Sequence, residues 1–103
     1  MLDYLKNYGI TDEQIPKIVD AINNENVNID IFKYDSEKVT EILDLFKNMG
    51  INNYYEIIVA NPTMFCDTIK SIRTRLDSYD NKQELAELIN SNVNNLSIVD
   101  LLW

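Results

Sequence analysis

The chain contains no histidine, a single cysteine, and only two glycines and two prolines. Without histidine the most versatile general base and metal ligand is missing. No Gly-rich phosphate loop or Cys/His metal spacing takes its place, and the carboxylates are scattered instead of paired. One cysteine rules out an internal disulfide, which suits a reducing, cytoplasmic setting. So few glycines and prolines leave little turn chemistry for an all-β fold. No apolar run is long enough to cross a bilayer, and Met1-Leu-Asp-Tyr-Leu-Lys6 lacks the basic region and apolar core of a signal peptide. The expectation is a non-enzymatic protein without metal, cofactor or membrane association.

Cations are also scarce. Against 17 Asp and Glu stand 9 Lys and Arg, a net charge of −8 over 103 residues. Such a surface repels polyphosphate, whose binding rests on Lys and Arg displacing counterions, and this argues against a nucleic-acid partner. It can steer the chain toward a basic protein. With 46% hydrophobic and 25% charged residues, the composition is that of a folded globular protein, and the length suits one domain over residues 1–103.

What is present is helical periodicity. Val39, Ile42, Leu43, Phe46 and Met49 recur at three- and four-residue spacing, and Gly50 follows where a helix end needs positive φ. Ile51 can fold back on the last turn. Asn53 with Glu56 is an approximate capping box for a short helix. Asn61-Pro62 ends that helix and starts a new one, Asn61 as cap and Pro62 as first residue. Phe65, Ile69, Ile72, Leu76 and Tyr79 then predict the longest helix.

Toward the N-terminus, Leu2, Leu5 and Tyr8 predict a short helix closed by Gly9. Thr11-Asp-Glu-Gln14 is a capping box for a helix carrying Ile15, Ile18, Val19 and Ile22, with Pro16 disturbing its first turn. Asn23-Asn-Glu-Asn-Val-Asn28 reads as a loop. Ile29, Ile31, Phe32 and Tyr34 predict an extended piece or one helical turn packed inward, and Asp35 or Ser36 caps the next helix. At the other end, Asp80-Asn81 with Glu84 starts a helix on Leu85, Leu88 and Ile89, and Asn90-Ser-Asn-Val-Asn-Asn95 breaks it. Ser97-Ile-Val-Asp100 is placed to cap a last turn with Leu101, Leu102 and Trp103, folded back over the core. The fold class is therefore all-α, a small helical repeat or irregular bundle of about five to seven short helices.

Leu5-Lys-Asn-Tyr-Gly-Ile10 aligns with Phe46-Lys-Asn-Met-Gly-Ile51, and Ile18 then falls on Val59. A period of about forty residues suits a helical array, with units at about residues 2–34 and 35–79 and capping helices at about 80–103. The segment from Phe46 to Phe65 resembles the repeats of the mitochondrial transcription termination factor family: a leucine-rich helix, a Gly-Ile turn, an Ile-Ile-Val helix, then Asn-Pro and a Met-Phe pair. Leu5 to Ile22 follows the pattern less closely, without a proline after Ile22. The resemblance, covering about Leu5 to Tyr79, implies paired helices stacked into a curved superhelix. It also implies double-stranded nucleic acid in a basic groove, which the acidic charge of this chain opposes.

Candidate contact residues follow from exposure patterns. Glu37, Glu41 and Asp44 lie at i, i+4 and i+7, opposite the apolar face of their helix, as an acidic row for a basic partner or a mimic of a phosphate backbone. The same spacing is that of a solvated face, which is the simpler reading. Tyr54-Tyr55 opens a helix at a corner, with one ring expected inward and the other outward. Trp103 is the remaining aromatic contact candidate, and the apolar C-terminal segment also offers a route to self-association. Lys70, Arg73 and Arg75 split around an apolar stripe and read as boundary residues; Cys66 reads as buried and inert. The function expected is protein binding. The alternatives are an acidic inhibitor imitating nucleic acid and a nucleic-acid-binding repeat.

Overall fold

The computed structural model describes residues 2–103. Among them are six α-helices, α1 (Ile15–Asn24), α2 (Asp30–Tyr34), α3 (Ser36–Asn48), α4 (Tyr54–Ala60), α5 (Ile69–Asp77) and α6 (Lys82–Ser91). Three 3-10 segments join them: η1 (Asp3–Tyr8), η2 (Pro62–Cys66) and η3 (Val93–Val99). The described residues form no strand, and no helix is long and apolar enough to cross a membrane.

The helix ends explain much of the fold. After α3, Gly50 has φ of 87° and its N–H bonds Lys47 O, while the N–H of Ile51 reaches Phe46 O at 3.0 Å. This double closure brings the Phe46 and Ile51 side chains together, and both are fully buried. The same closure ends α1, with Asn26 at φ 58° and Val27 bonded to Ile22 O. It recurs after η3, with Asp100 at φ 58° and Leu101 bonded to Leu96 O. Gly9, at φ 77°, ends η1 with a bond to Lys6 O. Sequence alone identifies the two glycines; Asn26 and Asp100 do the same work less visibly.

Around these stops lies one apolar core containing Phe32, Phe46 and Phe65, with the Phe32 and Phe65 rings 5.3 Å apart. Helix α1 packs on α4, α3 on α5 and η2, and η3 on α4 and α6. The Tyr4 hydroxyl donates to Phe32 O at 2.7 Å, tying η1 to α2. Ile18 and Ile22 of α1, Ile57 and Ile58 of α4, and Pro62 of η2 are all buried.

Several local expectations are corrected. The long helix across Phe65 to Tyr79 is two elements, and α3 with 13 residues is the longest helix described. The break is at Asp67 and Thr68, whose ψ angles of 171° and 152° are extended. Thr68 Oγ1 accepts from Ser71 N, and the Asp67 carboxylate takes Thr68 N and the Ser71 hydroxyl, so a fresh N-terminus forms there. Cys66 consequently ends a 3-10 turn and is exposed, not buried. Asn53 and Asn61 occupy cap positions without capping through their side chains. Their amides are spent on distant carbonyls, Ile89 O and Leu101 O. Gln14 closes half of the expected box by accepting from Thr11 N. Asn81 caps α6 as expected, accepting from Glu84 N at 3.0 Å. Lys82, close behind it, caps α5 by donating to the carbonyls of Leu76 and Tyr79. Residues 101–103 form no helical turn.

A Cβ added at Gly50 would meet nothing within 4 Å, so the cost of Gly50→Ala is the left-handed backbone alone. Urea unfolding should show about 1–2 kcal/mol of destabilisation. A neutral substitution would mean that this turn does not need its left-handed conformation.

Candidate functional site

Among the described residues there is no pocket and no grouping of three or more His, Cys, Asp or Glu able to hold a metal. Candidate contacts are therefore surface side chains. The exposed large apolar residues are Tyr34 at 80%, Trp103 at 49% and Ile98 at 46%.

Trp103 is exposed but not loose. The turn at Asp100 places its backbone beside α5, where Arg75 emerges. The Arg75 guanidinium donates to Asp100 O and pairs with the Asp100 carboxylate at 3.1 Å. The same guanidinium lies 5.0 Å from the centre of the Trp103 ring, in cation–π range. The indole Nε1 donates to Asp100 O at 3.0 Å. Arg75, read as a boundary residue, instead orients the C-terminal corner. Its distance of 25 positions from Asp100 leaves no local sequence signal of the pairing. Fold-back of the segment is partial: Val99 and Leu101 are buried, Leu102 is half-buried, and Ile98 and Trp103 face solvent.

The acidic row is interrupted. Glu37 and Glu41 are exposed and form no ion pair with any described residue, whereas Asp44 is half-buried and accepts from the Tyr8 hydroxyl at 2.8 Å. Tyr8 in turn meets Tyr54 edge-on, with ring centres 5.1 Å apart at 73°. Asp44 and Tyr54, predicted as separate contacts, are thus joined through Tyr8 in one structural ladder. Neither ring of the Tyr54-Tyr55 pair stands free at the surface: both are half-buried against the core. Asp44 turns inward because η1 lays Tyr8 along the edge of α3, a contact between residues 36 positions apart.

Burial, and after it the Asp44 carboxylate beside the hydroxyl, pushes the Tyr8 phenol up to about 12. Burial, with a smaller effect of Asp35, raises Tyr4 further. Burial and Asp44 also raise Tyr54. The fold favours the neutral phenol in each case. Stability linked to Tyr8 is therefore fully present below the free-phenol value of 10.0 and is lost as pH rises through about 12. Urea midpoints measured across this alkaline window should fall for the parent protein and fall less for Tyr8→Phe. Parallel losses in the two proteins would remove Tyr8 from the cause.

Comparison with protein-family models, with curated proteins and with solved structures gives no match for this chain. The chemistry of its surface is what remains to indicate function.

Proposed function

We propose that this protein is a non-enzymatic module that binds another protein, with the corner at Ile98 and Trp103 as its main contact. The observation that carries the reading is an indole half in solvent whose orientation is held by Arg75 and Asp100 O. A fixed aromatic loses little side-chain entropy on binding, and tryptophan is among the residues that dominate interface energetics. Ile98 supplies exposed apolar surface on the same segment. The net charge of −8 favours a basic partner by long-range attraction and disfavours nucleic acid. Glu37 and Glu41, exposed and without a counter-ion among the described residues, suit a secondary role in that attraction.

Immobilised protein should capture its partner from an extract of its native host, and Trp103→Ala should weaken capture by on the order of 2 kcal/mol while the circular dichroism stays unchanged. Duplex DNA at micromolar protein and physiological salt should show no retarded band. Capture that is indifferent to Trp103→Ala, or that disappears on nuclease treatment, would defeat the reading.

A further inference from the structure

The segment Asp100–Trp103 is held by the body of the protein in an unusual way. Leu101 is fully buried although it belongs to no helix. Its carbonyl accepts from Asn61 Nδ2 at 2.8 Å, and Asn61, 1% exposed, is the only buried polar residue among those described. One position earlier, Arg75 donates to both the carbonyl and the carboxylate of Asp100. The body therefore reads this segment through one buried amide, one guanidinium and one apolar seat. The amide and the guanidinium are supplied by elements distant in sequence.

We propose that the seat of Leu101 is a binding site for a short peptide segment of a partner protein, filled in cis by Asp100–Trp103, whose first residue is in the left-handed conformation. The segment it takes carries an acidic residue followed directly by a large apolar one. An acidic side chain meets Arg75, the next carbonyl meets the Asn61 amide, and the apolar side chain fills the seat. The seat is poorly suited to standing empty, because departure of Leu101 leaves a buried amide donor without an acceptor. Exchange of one segment for another restores that bond, so an equivalent segment can replace the resident one. Polar contacts of the resident segment with distant parts of the protein are those with Asn61 and Arg75. The remaining ones are the local bonds of Asp100 N to Ser97 O and of Leu101 N to Leu96 O, which an incoming segment must forgo or replace. This inference rests on the reading of the C-terminal corner as a protein-contact surface, and it specifies the partner's chemistry.

The test uses the full chain with Trp103→Phe, which removes its only tryptophan, and with Leu101→Lys, whose charge expels the resident side chain. The probe is the acetylated, amidated peptide Val-Asp-Leu-Leu-Trp, followed by its own fluorescence. Saturable binding with a blue shift is expected. Affinity should be at least about tenfold higher than for the chain carrying Trp103→Phe alone, where the resident segment competes. Adding Arg75→Glu, or replacing the first peptide leucine by alanine, should abolish saturation. A folded double variant that does not saturate at about millimolar peptide, or that binds the alanine peptide equally, overturns the proposal. If the double variant does not fold, amide exchange in the unmodified protein decides. The Leu101 N–H should exchange much faster than that of Leu43, showing that the segment leaves while the body stays folded; equal rates overturn the proposal. Failure of the peptide together with Trp103-dependent capture would sink this inference and leave the corner's role standing.

Discussion

A helix that stops by turning left-handed must spend an awkward backbone conformation, and in return it brings its last inward side chain against the first residue beyond the stop. This chain uses that arrangement repeatedly. Phe46 meets Ile51 across Gly50, Ile22 meets Val27 across Asn26, and Leu96 meets Leu101 across Asp100. At each site the backbone of the later residue bonds the carbonyl of the earlier one, so chain reversal and core formation are a single event. The conformation is unstrained for glycine and costs roughly 1 kcal/mol or more for Asn26 and Asp100. Burial of an apolar pair offsets it, at about 1.5–3 kcal/mol per large side chain. Short helices would be marginal alone; here their ends are tied to the core.

Side-chain amides form the second layer of ties. Asn90 accepts from Asn52 N and donates to Gly50 O, holding the Gly50 turn against the end of α6. Asn53 donates to Ile89 O in the same place, and its buried Oδ1 has no hydrogen-bond partner among the described residues. Asn95 donates to Leu88 O at the start of the final segment. Asn61 does the same for Leu101 from within the core. Asn53, Asn61 and Asn90 join elements about forty positions apart, and Asn95 joins consecutive ones, so specific polar contacts take the place of long helix–helix seams.

The C-terminal corner depends on both layers. Without the left-handed turn at Asp100, Leu101 would not reach its seat, and Arg75 would lose both acceptors. Trp103 would then be a loose exposed aromatic instead of an oriented one. The acidic surface shows the opposite case, in which packing removes a functional candidate. Asp44 lies on the predicted acidic row, yet the hydroxyl of Tyr8 recruits it into a structural ladder and leaves Glu37 and Glu41 alone. Burial, more than charge alone, separates the two outcomes.

Local chemistry by itself determined the all-α class, the left-handed glycines, the stripe from Val39 to Met49 along α3, the Asn81 cap and the apolar character of the C-terminal segment. Those features depend on periodicity, on positive φ, and on hydrogen bonds spanning three or four residues. The same local reasoning merged η2 with α5, because the apolar spacing from Phe65 to Tyr79 is continuous while the capping chemistry of Asp67 and Thr68 competes with it. It placed Cys66 inside for the same reason. Only the tertiary structure decided that Asn61 would serve Leu101, that Arg75 would hold Asp100, and that Asp44 would belong to Tyr8. Each of these pairs spans 25 or more positions. No periodicity or local motif carries such a pairing, because it exists only once packing has brought the two groups together.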